Sequence, residues 1–160
     1  GNEGLNIFYD KKLLSQKMQY MRKITKKPVT TSERIEKYFS HQYKDLLLEN
    51  SDFIFPTVHP FWHMVKTPEE AVAWTSLLYN SLKRNTHKKV IFKEVGLPSG
   101  GDICCDQNSH ARYYEMLKVK DVRFIYFEAF DQIWKTASPA EAHWGFFNHD
   151  RSEKIVLKNK

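Results

Sequence analysis

The chain has 160 residues and carries 25 Lys and Arg against 19 Asp and Glu, a formal charge of +6. A hydrophobic share of 41% with 14% aromatics excludes a disordered chain and is enough for one globular core. The lysines are scattered, paired in helix-like stretches (Lys11-Lys12, Lys26-Lys27, Lys88-Lys89) or placed in the C-terminal tail, a pattern of solvated faces. No nucleic-acid partner is expected, and no apolar run is long enough to span a membrane.

Gly1-Asn2-Glu3-Gly4 opens the chain without a lead-in and reads as the middle of a longer one. Leu13, Leu14, Met18, Met21 and Ile24 then recur at helical spacing between lysines, predicting an amphipathic surface helix with methionines as core filling. Pro28 to Glu33 is short and β-rich, and a helix is expected around Tyr38 to Leu48. Asp52 to His63 reads as a strand running into an aromatic loop with His59, Phe61 and Trp62. Thr67-Pro68-Glu69-Glu70 has the form of a helix start, with Thr67 as cap and Glu70 closing a capping box. That helix continues through Ala71, Trp74, Leu77, Leu78 and Leu82, with Trp74 expected against the sheet.

Val90-Ile91-Phe92 is a β-branched and aromatic strand, and Gly96, Pro98, Gly100 and Gly101 stop it, leaving Glu94 where strand becomes loop. Lys93 is expected to face away from Glu94, because neighbouring strand residues point to opposite faces. Cys104 and Cys105 are adjacent, a poor geometry for a bridge, so no disulfide framework is expected. A helix over Ser109 to Leu117, a last strand over Val122 to Asp131 and an aromatic segment over Glu141 to Phe147 precede the lysine-rich tail. Phe53, Phe55, Phe124 and Phe127 are assigned to the core.

The result is an alternating β/α pattern of about five strands, which implies a parallel sheet. Polar or aromatic groups gather at the C-terminal strand ends: Glu3, Glu33, His59 with Phe61 and Trp62, Glu94, and Glu128 with Trp134. A (β/α)₈ TIM barrel places its active-site residues in this way. A full barrel takes about 250 residues and eight strands. The expectation is therefore a partial barrel, strands four to eight, with residues 1–160 forming the C-terminal part of a single barrel domain. Its missing N-terminal half would be required, because open strand edges invite pairing with other chains.

Four blocks in order, Gly1-Asn2-Glu3, Glu94-Val95-Gly96-Leu97-Pro98-Ser99-Gly100-Gly101, Phe127-Glu128-Ala129-Phe130-Asp131 and His143-Trp144-Gly145-Phe146-Phe147, resemble glycoside hydrolase family 17. These are retaining β-1,3-glucanases and glucan transglycosylases on a (β/α)₈ barrel. The resemblance implies Glu94 as nucleophile and Glu3 as general acid/base, with Asn2 holding a sugar hydroxyl. It further implies a sugar-binding wall of His59, Phe61 and Trp62, extended by Trp134 and Trp144, with Glu128 as a hydrogen-bond partner. The partner it implies is a β-glucan polysaccharide or oligosaccharide. An extracellular, periplasmic or cell-envelope location is suggested by the resemblance alone. Val95 and Leu97 depart from the family's usual Thr or Ser and Trp, and Gln132 stands where a Glu is usual, which puts a stacking surface and a charge in question.

No cofactor is expected, and no metal either. His59 and His63 lie across a strand-to-loop passage rather than on one helical face, and no carboxylate or Cys completes a set with them. Hydrolysis and transglycosylation share one covalent intermediate, so both remain open. A barrel that binds glucan without cleaving it is the alternative from another class.

Overall fold

The computed structural model describes residues 1–158. They form two compact units, Gly1–Val58 with Tyr79–Lys93, and His59–Leu78 with the chain from Glu94 onward. The helices are α1 (Lys11–Thr25), α2 (Lys44–Asn50), α3 (Pro68–Asn85), α4 (Gln107–Lys118) and α5 (Ile155–Lys158). The strands are β1 (Thr57–Val58), β2 (Phe92–Val95) and β3 (Phe124–Tyr126), hydrogen-bonded in the order β1-β2-β3.

The first unit is built on parallel pairings taken in sequence order. Glu3 N–H donates to Ser32 O at 2.7 Å, and Ser32 N–H to Gly1 O at 3.1 Å. Thr57 N–H then reaches Glu33 O at 3.0 Å, while Ile91 N–H and Lys93 N–H reach Ile54 O and Pro56 O at 2.9 and 2.8 Å. The bridges Asn2–Ser32, Arg34–Thr57 and Ile54–Val90 are all parallel. Successive parallel segments need crossover connections, and α1 and α2 supply two of them. Leu5, Leu14, Ile35, Tyr38, Leu47, Ile54, Val58, Leu82 and Phe92 fill the core between these layers.

Local chemistry explains the helices. Asp10 caps α1 by accepting from Leu13 N–H at 2.7 Å, and Lys26 ends it in the left-handed region at φ 55°. Leu14 and Met18, four residues apart, are buried, whereas Leu13, Met21 and Ile24 face solvent. The expected apolar stripe is thus narrower than its composition suggests, and Met21 is not core filling. The helix expected over Tyr38 to Leu48 is divided into a 3₁₀ turn, Ile35–Tyr38, and α2. Ser40 takes the intervening backbone into a turn, accepting Tyr43 N–H at its carbonyl and Gln42 N–H at its hydroxyl.

In the second unit, Thr67 Oγ1 accepts Glu70 N–H at 3.4 Å and donates to the Glu70 carboxylate at 2.6 Å, so the predicted helix start holds. Trp74 stacks at a tilt on His63, with ring centroids 4.9 Å apart. Phe127 N–H donates to Val95 O at 2.8 Å, which carries the ladder beyond β3. From there Trp144–Phe147 pairs with Glu128–Asp131 through Glu128 N–H to Trp144 O and Phe147 N–H to Ala129 O. This approach requires Gly145, because a Cβ there would stand 2.2 Å from the Asp131 nitrogen. Gly96 is confined likewise, its Cβ position lying 2.3 Å from Phe127 O.

Two sequence expectations are corrected here. β2 covers Phe92–Val95, and Val90 forms only an isolated bridge, so Glu94 sits inside the strand rather than beyond it. Phe53, Phe55, Phe124 and Phe127 are half-buried, not interior; Phe53 and Phe55 flank the buried Ile54, while Phe124 lies between two exposed residues. No helix among the described residues is long and apolar enough to cross a membrane.

Candidate functional site

In the first unit, Glu3 is presented from the parallel edge beside Ser32, with its backbone at φ 51°. One carboxylate oxygen accepts from the Thr57 hydroxyl, and the other lies 3.2 Å from Arg34 Nε. Asn2 beside it is held by Lys93, whose Nζ donates to Asn2 Oδ1 at 2.9 Å. Lys93, expected to play no part, thus fixes a candidate binding residue.

The loop after Glu3 is tied down by Glu33, whose side chain is fully buried. The carboxylate accepts Leu5 N–H at 3.2 Å and the Tyr9 hydroxyl at 2.9 Å, and pairs with Lys37 at 3.1 Å. Lys37 also donates to Leu5 O at 2.7 Å. Burial and then the Glu33 carboxylate push the Tyr9 hydroxyl above its ordinary pKa, so Tyr9 stays a donor. Glu33 is an anchor for this loop and not a reacting group.

In the second unit, Glu94 lies 3.9 Å from His59 Nε2, and both side chains are largely sheltered. His59 follows β1 directly, and its ring meets Phe127 and Trp144 edge-on at 5.3 and 5.1 Å. The 3₁₀ turn Pro60–His63 carries Phe61 and Trp62, whose rings pack at 4.7 Å. Trp62 is 45% exposed and Trp134 72%, so both offer an open ring face. Phe61 at 5% and Trp144 at 1% do not. Phe61 and Trp144, both expected in the wall, are therefore buried, and with Trp62 they form a cluster of three rings whose centroids lie 4.7 to 6.2 Å apart.

Glu128 accepts from Lys135 Nζ at 2.7 Å and from the Gln132 amide. Burial raises its pKa and Lys135 opposes that shift. Lys135 Nζ also stands 4.6 Å from the Phe127 ring centroid and 5.7 Å from that of Trp134. Sequence reasoning misses Lys135, Thr57 and Arg34; the signal for Lys135 was its spacing of seven residues from Glu128 along the last strand and turn. His59 and His63 join no metal-competent group. Among the described residues the one such group is Asp102, Cys104 and Cys105, on the loop following β2.

Residues 1–145 match the family model described as the BtgE/BtgC glycoside hydrolase domain. The chain is 30% identical over 159 residues to a probable glucan endo-1,3-beta-glucosidase of Aspergillus flavus, covering 82% of this chain and 22% of that protein. It therefore spans about a fifth of the curated relatives' length. A glycoside hydrolase family 17 beta-1,3-glucanosyltransferase from Rhizomucor miehei superposes with a TM-score of 0.81 at 21% identity, covering 98% of this chain and 60% of that one. An active-site mutant of that enzyme in complex with laminaritriose gives 0.82 at 20% identity, with the same coverage. The α/β architecture with successive parallel strands is thus shared with part of that fold, and the chain belongs to the BtgE/BtgC glycoside hydrolase domain family.

Proposed function

We propose that this chain is the C-terminal part, strands four to eight, of a (β/α)₈ barrel that acts on β-1,3-glucan with retention of configuration. Residues 1–160 form one portion of a single barrel domain, and the upstream strands complete it. Glu94 is the nucleophile and Glu3 the general acid/base. The observation that carries this reading is the match of residues 1–145 to a glycoside hydrolase domain. The Glu94 carboxylate on β2, the Glu3 carboxylate beside a parallel bridge and the aromatic surface near Glu94 support it.

Retaining chemistry uses two carboxyl groups about 5–5.5 Å apart. The Glu94 carboxylate attacks the anomeric carbon as the bond to the leaving oxygen breaks, and the Glu3 proton passes to that oxygen. Glu3, now ionised, takes a proton from water or from an acceptor sugar hydroxyl, whose oxygen displaces Glu94. Water gives hydrolysis and a sugar gives transglycosylation. Trp62 and Trp134 supply ring faces for the C–H faces of glucose units, with Phe61 and Trp144 as their backing. Asn2 Nδ2 is a donor for a sugar hydroxyl, and Glu128 with Lys135 supplies an acceptor and a donor near the rings.

Glu94→Gln in the intact protein is expected to abolish release of reducing ends from laminarin while leaving the circular dichroism spectrum unchanged. Near-normal turnover by that variant ends the assignment. Product lengths at high acceptor concentration separate the two outcomes of the shared intermediate, because only a transglycosylase lengthens chains. A glucan-binding barrel without catalysis is the second reading, raised by the sequence departures at Val95, Leu97 and Gln132 before their packing is considered. Laminarin binding with no reducing ends released would select it.

A further inference from the structure

We infer that Asp102, Cys104 and Cys105 form a binding site for a thiophilic divalent cation, zinc in chemical class, on the loop that follows β2. The three donors come from one tight turn. Cys105 N–H donates to Asp102 O at 3.0 Å, and Cys104 N–H to Asp102 Oδ1 at 3.3 Å. Cys104 Sγ lies 3.2 Å from Asp102 Oδ1 and 3.3 Å from Cys105 Sγ. One ligand atom from each residue lies within 4.8 Å of the others.

Zinc bonds of about 2.3 Å to sulfur and 2.0–2.2 Å to oxygen set tetrahedral edges of about 3.5–3.8 Å. The distances within the turn are therefore a few tenths of an ångström short of what the ion requires, and a small opening accommodates it. The cation takes the place of the proton that Cys104 now shares with Asp102 Oδ1. Both thiols are half-buried, and neither is bridged.

Lys66 completes the electrostatics. Its Nζ lies 2.9 Å from Asp102 Oδ2, on the oxygen away from the thiols, and leaves Oδ1 directed at them. Such an outer partner orients a carboxylate ligand. Two thiolates, one carboxylate, one ammonium and a divalent ion sum to a neutral cluster. Cysteine binds zinc as the thiolate, so binding expels the thiol protons. Affinity is accordingly expected to rise with pH, by up to about 100-fold per unit if two protons leave.

The test uses the intact protein carrying this chain, stripped of metal under reductant, with a Cys104→Ser/Cys105→Ser double variant as reference. Wild type is expected to take up one more equivalent of Zn²⁺ than the double variant in competition with a chromophoric chelator. Cd²⁺ should give a thiolate-to-metal charge-transfer band that falls by half in either single variant. Asp102→Asn should weaken binding at least about 10-fold. Equal uptake by wild type and double variant overturns the site. So does Cd²⁺ binding without the thiolate band, or a Cys104–Cys105 bridge that persists under reductant. Activity on laminarin is a separate readout, so failure here leaves the glucan reading untouched.

Discussion

Replacing Lys154 with Met should cost this protein more than any loss of surface charge. Lys154 Nζ lies 2.6 Å from Asp131 Oδ1 and 2.6 Å from Ser99 Oγ, and the two charged side chains are only 2% and 6% exposed. At that burial the solvent screening that makes surface pairs nearly worthless does not apply. Burial pulls Lys154 below the usual lysine pKa while Asp131 acts in the opposite sense, so the ion pair is what keeps the lysine charged. Lys154→Met leaves the Asp131 carboxylate with Gly145 N–H at 2.9 Å and the more distant His143 Nδ1 at 3.5 Å. Breaking one partner of a buried pair costs about 3–5 kcal/mol. Adding Asp131→Asn removes the stranded charge while keeping an acceptor for Gly145, so the double variant should be more stable than Lys154→Met alone. Urea unfolding of the four proteins of this cycle, at constant m, measures the coupling. A cost below about 1 kcal/mol for Lys154→Met, or a double variant as unstable as the sum of the singles, would refute the reasoning. Activity should fall with stability, because Ser99 belongs to the turn that follows Glu94 and also bonds His143 O at 2.7 Å.

Two other outcomes follow from the same coordinates. Burial, with Lys154 as the next cause, lowers His110 from 6.5 to about 4, and its ring lies among Tyr126 and Phe146. The unfolded chain therefore binds a proton through this window that the folded one refuses. Stability is present in full above pH 6.5 and falls as the pH drops towards about 4, by roughly 3 kcal/mol. His110→Phe should flatten that part of the acid limb, and superimposable acid limbs in both proteins would contradict it. Trp134→Ala should leave stability within about 0.5 kcal/mol of wild type yet raise KM for laminarin several-fold, whereas Phe61→Ala should destabilise by about 3–5 kcal/mol. The reverse pattern, read by thermal melts and initial rates, would place the sugar surface on the wrong rings.

Much of this architecture was legible because its signals are local. Thr67-Pro68-Glu69-Glu70 carries its own capping chemistry, and the β-branched and aromatic strands sit between turn residues. Glu94 and Glu3 were legible as candidates from their motifs: Glu94 lies in β2 just before a turn, and Glu3 directly follows the bridged Asn2. What failed depends on contacts distant in sequence. Whether Trp62 or Trp144 keeps an open face is decided by what packs above it, and for Trp144 by a backbone approach that only Gly145 permits. Lys154 sits in a lysine-rich tail and reads as solvated, yet it is buried because Asp131 and Ser99 form a polar pocket around it. Nothing near Lys154 in sequence announces that pocket.

The same distinction bears on the three departures from the family pattern. Val95 and Leu97 were expected to cost a stacking surface, but both side chains are buried, Leu97 at 2%. A residue at that depth fills interior volume, so exchanging Trp for Leu there alters packing behind the strand rather than a face offered to a sugar. Gln132 donates its amide to Glu128, which also accepts from Lys135, so the carboxylate remains fixed even though a neighbouring charge is gone. Removing a second negative charge beside Glu128 favours its ionised form and strengthens the pairing with Lys135. Each departure is thus absorbed by packing or by a hydrogen bond, and none replaces the Glu3 or Glu94 carboxylate. The physical case for a barrel that binds without cleaving must therefore come from turnover measurements on Glu94→Gln and wild type, not from these three substitutions.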